Sequence, residues 1–181
     1  MFFIAITLFF GISSYSSQTI IWQENKPLKW SDFKGKPEKR FAVASTSYVI
    51  DMVTFEITQN QFKVSTNAIF YCKDSWKNNK WISDAILKHE QLHFDIAELF
   101  SRKMREKVTQ IVVKNYDDLK QQTDKIYYQL EKEMDVYQNL YDDETENSMN
   151  KLKQQEWESK VKNDLNNLSN FKTKDIIVHV N

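Results

Sequence analysis

Glycine and proline are scarce in this chain, with two residues of each among 181. A typical sequence carries about 7% glycine. Loops that cradle phosphate groups need several glycines within a few residues, so that backbone N–H groups can close on the anion. Gly11 and Gly35 stand too far apart to build such a loop, which excludes nucleotide chemistry of the Walker and dinucleotide-binding types. Cysteine is scarcer still. Cys72 is alone, so no internal disulfide and no cysteine-based zinc site can form, and a lone thiol is most simply a buried core residue. Net charge is absent as well, with 25 Lys+Arg against 25 Asp+Glu. That balance argues against a surface that holds nucleic acid or a membrane by bulk positive charge. The apolar run at residues 2–10 falls short of the roughly 20 residues that a membrane span needs.

Apolar residues are not scarce: 41% of the chain is hydrophobic and 14% aromatic, enough for one sizeable core. The run at 2–10 (FFIAITLFF) is followed by Ser13, Ser14, Tyr15, Ser16 and Ser17. A short apolar stretch and then small residues is the pattern of a secretory signal peptide. Ser14 and Ser16 fit the −3 and −1 cleavage positions, so we expect a signal peptide at 1–16 and a single mature domain at 17–181. The protein is then secreted or periplasmic, without a stable membrane span.

The mature chain changes period once. Residues 22–40 read as an irregular loop with aromatic anchors. Residues 42–50, 52–58 and 61–71 are rich in Val, Ile, Thr, Phe and Tyr and read as strands, with Asn60 and Gln61 at a hairpin turn. Residues 73–81 read as a loop. From Ser83 onward apolar positions recur at helical spacing through Ala85, Ile86, His89, Leu92, His93, Ile96, Ala97, Phe100 and Met104, with Ser83 or Asp84 as the N-cap. A second helix is expected at 116–140, a polar break at 142–147, a third helix at 149–168, and a short strand at 175–180. Strands first and helices after make an α+β fold: a small antiparallel sheet followed by one motif-bearing helix and two further long ones.

That motif is His89-Glu90-Gln91-Leu92-His93, an HExxH sequence on a helix. Side chains four apart stack on one helical face, so both imidazoles can grip one ion while Glu90 flanks it. In metalloproteases the glutamate acts as general base toward the metal-activated water. With three histidines in the chain, the chance of this arrangement on composition alone is roughly 0.2%. Two imidazoles and an oxygen ligand suit zinc. Glu98 and Asp95 lie on other faces, about 140° and 200° round the helix from His93, so a third ligand must come from later in the chain. Glu133 lies near the seam of the second helix, and Asp142, Asp143 and Glu144 cluster in the break. His179 alternates away from Ile176, Val178 and Val180 and is expected to face solvent.

The segment 87–98 (LKHEQLHFDIAE) resembles the core of a family of secreted bacterial proteins described as predicted zinc-dependent proteases and originally classed as of unknown function. Residues 30–37 (WSDFKGKP) are similar to that family's N-terminal signature. Ser75 and Trp76 before the helix, and residues 141–145 (YDDET) with Gln154 and Trp157 after it, also match. The resemblance spans roughly residues 22–168. This chain has Asn147 where the family usually has a histidine two residues after the threonine, and Leu92 where a glycine is usual. The resemblance therefore leaves the third ligand to Glu144 or a neighbouring carboxylate, or else to a weak site; we expect Glu144.

These observations imply a zincin-like fold and an exported zinc metallopeptidase. His89, His93 and Glu144 would bind zinc, Glu90 would be catalytic, and the partner would be a peptide or protein substrate. Tyr141 is a candidate hydrogen-bond donor to the oxyanion, with core packing as its simpler role. The rival expectation is a non-catalytic, metal-stabilised binding domain of the cell envelope, motivated by Asn147. Trp22, Trp30, Trp76 and Trp81 serve either as core or loop anchors.

Overall fold

Strict alternation of buried and half-exposed side chains marks the middle of the sheet. The computed structural model describes residues 19–37 and 42–180, so the expected signal peptide at 1–16 lies outside the described residues. In chain order the strands are β1 (Thr19–Ile21), β2 (Ala44–Ser45), β3 (Tyr48–Thr58), β4 (Gln61–Tyr71), β5 (Trp76–Lys77) and β6 (Asp175–His179). The helices are α1 (Asp84–Val108), α2 (Tyr116–Thr145) and α3 (Lys151–Asn167). Along β4, Phe62, Val64, Thr66, Ala68 and Phe70 are buried and their neighbours are not. One sheet face therefore packs on helices and the other meets solvent. The α+β class and the antiparallel sheet are as the periodicity predicts.

β4 is central. β3 pairs antiparallel along one edge, from Tyr48 opposite Phe70 to Thr58 opposite Gln61. β1 and β6 share the other edge, β1 at Ile69–Tyr71 and β6 at Gln61–Ser65. The outer edge of β3 has no strand partner among the described residues. The two expected strands at 42–50 and 52–58 are in fact one strand preceded by a separate short one. Asp51 does not interrupt β3, because alternation places it on the exposed face. Residues 44–45 leave the main sheet to pair with β5, in the stretch expected to be loop.

α1 starts where Ser83 caps it, its hydroxyl oxygen accepting from the Ile86 N–H. It lies between the sheet on one side and α2 and α3 on the other. That position explains why it is buried on nearly all faces from Ile96 to Arg105. Three of those buried residues are charged. Glu98 accepts from Arg102 Nε at 2.9 Å and from both Arg105 terminal nitrogens at 3.2 Å. The arginines then donate to backbone carbonyls: Arg102 to Leu165, and Arg105 to Phe171 and Thr66. One ion cluster so ties α1 to the end of α3, to the short 3-10 turn Ser169–Phe171 and to β4.

α2 is longer than its pattern predicts. It runs through the expected break and ends at Thr145, with Glu146 at φ 50° as a left-handed cap. Tyr141 and Thr145 are fully buried, and the Thr145 hydroxyl donates to the Tyr141 carbonyl. This buried face keeps a polar stretch helical despite its weak intrinsic propensity. α3 follows from Asn150, which caps it by accepting from the Lys153 N–H, and buries Gln154, Trp157 and Val161. No helix among the described residues is long and apolar enough to cross a membrane.

The Glu98→Gln variant strands two buried guanidinium groups without a counter-charge. It is expected to lose about 3 kcal/mol of stability, read as a lower urea midpoint with an unchanged slope.

Candidate metal centre

One turn of α1 separates His89 from His93, and both rings face the last turns of α2. Their Nε2 atoms stand 3.3 Å apart. Asp142 Oδ1 lies 3.1 Å from Nε2 of His89 and 3.0 Å from Nε2 of His93. Ligand atoms held about 2.0–2.1 Å from one tetrahedral ion stand roughly 3.3 Å apart, so the triangle has the edges such an ion requires. His89, His93 and Asp142 together can hold a metal ion. Asp142 Oδ1 is buried and makes no hydrogen bond, close as the rings are. An acceptor orphaned in this way is costly unless a cation meets it.

The other ring nitrogens say which atoms are free to bind. Gln138 Nε2 donates to the His93 carbonyl at 3.0 Å, which turns its Oε1 toward His93 Nδ1 at 2.7 Å. Gln154 Nε2 donates to Glu158 at 3.1 Å, and its Oε1 faces His89 Nδ1 at 3.2 Å. Each Nδ1 therefore carries the hydrogen, and each Nε2 keeps its lone pair for the shared point. The Tyr141 hydroxyl donates to Gln154 Oε1 at 2.9 Å, with the His89 carbonyl at 3.2 Å as a second acceptor. Its ring stacks on His89 at 4.6 Å and meets His93 edge-on at 4.9 Å. Fully buried and so engaged, Tyr141 positions ligands and has no free hydroxyl for an oxyanion. Burial is also the main cause that raises its pKa.

Burial opposes the charged Asp142 carboxylate, yet the two imidazoles keep its pKa well below the usual carboxylate range. Burial likewise opposes the charged His93 ring, and the neighbouring Asp142 and Glu90 outweigh it, so its pKa is raised. The site is open on one side, with the Asp142 side chain 36% exposed.

Glu90 is buried beside this centre and is held from outside the helix. Thr46 Oγ1 donates to Glu90 Oε2 at 2.7 Å. Thr46 sits between β2 and β3, on a strap fixed by its neighbours: Ser47 N–H donates to Ser75 Oγ, and Gly35 N–H to the Ser75 carbonyl. A Cβ on Gly35 would lie 2.8 Å from the carbonyl oxygens of Lys73 and Ser75. The close approach requires glycine there. Segment 30–37 thus braces the strap that orients Glu90. Tyr48, at the start of β3, is a second neighbour. Burial first, then the nearby Asp135 and Asp142 charges, raise its pKa.

The structure corrects the expected ligand set. Glu144 does not reach the histidines; its carboxylate accepts from Trp157 Nε1 at 2.9 Å. Two residues further along a helix is about 200° further round it, so α2 cannot present both Asp142 and Glu144 to one point. Asp143 is exposed, and Glu133 is exposed and accepts from Gln129. Asn147 lies beyond the helix in the left-handed region, its N–H donating to the Asp142 carbonyl. His179 is exposed on β6, as expected. Asp95 accepts from Trp22 and Gln91 on another face of α1, and Cys72 is a buried core residue. Sequence reasoning named Asp142 only within the carboxylate cluster 142–144 and preferred Glu144; it passed over Thr46, Gln138 and Tyr48. The signal for Asp142 was present: Leu130, Met134, Gln138, Tyr141 and Thr145 continue helical spacing past the supposed break.

A model of a bacterial family described as of unknown function (DUF922) matches residues 27–149. The match covers about two thirds of the chain, so the chain belongs to that family. It takes in segment 30–37, the HExxH turn and Asp142, and it stops short of Gln154. No curated protein and no solved structure matches the chain.

The centre predicts one divalent transition ion per chain, measurable by cobalt(II) titration against a competing chelator. Asp142→Asn is expected to weaken binding by at least about 10²-fold, and Gln138→Leu by about 10–100-fold. Glu144→Gln leaves it within about threefold of the starting value.

Proposed function

We propose that this family member is an exported zinc metallopeptidase of the zincin type. The observation that carries the reading is the convergence of His89 Nε2, His93 Nε2 and Asp142 Oδ1 beside Glu90 on the same helical turn. Two neutral imidazoles and one carboxylate, with an open side, are a donor set that suits catalytic zinc. Bound there, zinc would lower the pKa of a water molecule and polarise a scissile carbonyl.

The remaining work falls to groups of the chain. Glu90 takes the proton of the attacking water and delivers it to the leaving amine. The Thr46 hydroxyl, donating to Glu90 Oε2, holds that carboxylate in one orientation. The outer edge of β3, unpaired among the described residues, offers its N–H and C=O groups to an extended peptide. A cleft of about 400 Å³ lies between residues 45–50, at the start of β3, and α2. Tyr48, half-buried and close to the Asp142 charge, would then donate to a developing oxyanion, in the role that Tyr141 is too buried to fill. The apolar run at 2–10 supports export. The rival reading, a metal-stabilised binding domain without catalysis, drew its motive from the missing third ligand, a place for which Asp142 is now a candidate.

Zinc content and peptide hydrolysis of the wild type and of Glu90→Gln separate the two. The peptidase reading expects stoichiometric zinc in both, with hydrolysis in the variant reduced by about 10²–10⁴-fold. Zinc in both with no hydrolysis of a broad peptide library in either sinks it in favour of the binding domain.

A further inference from the structure

We infer that the cleft beside β3 selects peptide segments that carry lysine or arginine. The inference rests on the reading of this cleft as a peptide site and adds the chemistry of what it takes. At about 400 Å³ the cleft is in the size range of ligand pockets. One wall is the start of β3 with its free edge, and the other is α2. Ile50, Met104 and Met134, all buried, form its floor. Among the described residues, the ionised side chains that line it are carboxylates, Glu131 and Asp135, with no lysine, arginine or histidine.

These two carboxylates stand four residues apart on α2, so they share one face and repel each other. Neither makes an ion pair among the described residues; Glu131 accepts only a long 3.4 Å contact from the Tyr127 hydroxyl. Their field is felt across the cleft. Asp135 and Asp142 help to raise the pKa of Tyr48 on the strand wall, and Glu131 and Asp51 help to raise that of Tyr127, in each case after burial. Two independent features therefore agree. The unpaired strand edge calls for an extended peptide backbone. The carboxylate pair takes the charged head of a lysine or arginine side chain. An acidic side chain in the same place would meet two like charges in a partly dry cleft, which works against it.

The test uses the zinc-loaded Glu90→Gln protein and fluorescent, end-blocked hexapeptides that differ at one central position, read by anisotropy. Peptides with Lys or Arg are expected to bind about tenfold more tightly than their Gln counterparts, and the Glu peptides more weakly still. In the Glu131→Gln/Asp135→Asn background the Lys-over-Gln preference falls to within about twofold, at unchanged zinc content. Asp135→Asn alone, at an exposed position, reads the same loss in part and stands in if the double variant fails to fold. Equal binding of Lys and Glu peptides, no binding of any, or a preference that survives the double variant overturns the inference. The parent reading fails separately. Lysine-selective binding that the wild type never follows with cleavage sinks the peptidase and leaves the inference standing. Cleavage without basic preference does the reverse.

Discussion

Three lone pairs meet at one point in this protein, and much of the surrounding structure follows from that. Two imidazole nitrogens and a carboxylate oxygen lie within 3.3 Å of one another, in a place where Asp142 Oδ1 finds no hydrogen bond. Such a gathering is unfavourable unless something positive sits among the atoms. To keep the lone pairs converging, each ring must be held from behind through Nδ1. That is why two glutamine amides, from two different helices, are buried next to α1. The second of them fixes α3 as well, because Gln154 must reach His89 while Trp157, three residues on, holds Glu144 out of the centre.

α1 carries a second buried polar cluster, and the contrast between the two is instructive. From Glu98 onward the charges are paired within the chain and spent on backbone carbonyls of α3, β4 and the turn after α3. That end of the helix is closed and has its counter-charge built in. At His89 and His93 the polar groups are oriented but incompletely satisfied, and the side toward Asp142 is open. One helix thus has a self-sufficient end that locks it between sheet and helices, and an end whose oriented groups could hold a cation. A site held this way is pre-organised, because the rings do not have to be gathered when the ion arrives.

Patterns confined to one element were legible in the sequence. Alternation located β4, and helical spacing with a serine cap located α1, because burial there is decided by each element's own period. HExxH was legible for the same reason: its geometry is contained in one helical turn. Asp142 was harder. Its neighbours Asp143, Glu144 and Glu146 give a composition typical of a break, while two buried residues, Tyr141 and Thr145, hold the stretch helical through contacts that composition does not reveal. Thr46 was not legible at all. Its bond to Glu90 spans 44 positions and depends on a two-residue strand that exists only because Gly35 lets the backbone of Ser75 come close.

Asn147 then takes on a different meaning. As an asparagine in the place of a histidine it raised doubt about the third ligand. In the fold it occupies the middle of three consecutive left-handed residues, Glu146, Asn147 and Ser148, at φ 50°, 51° and 78°. Side chains other than glycine are strained there, asparagine less than most. The turn is kept by backbone bonds from Asn147 N–H to the Asp142 carbonyl and from Asn150 N–H to the Thr145 carbonyl. So the residue that does not coordinate still acts on the centre, by ending the helix that presents Asp142 and by starting the reversal that returns α3 with Gln154. In a chain with two glycines, this tight reversal is made without either of them. The strain therefore sits next to Asp142, where the buried Tyr141, Thr145 and Gln154 have the packing to hold it.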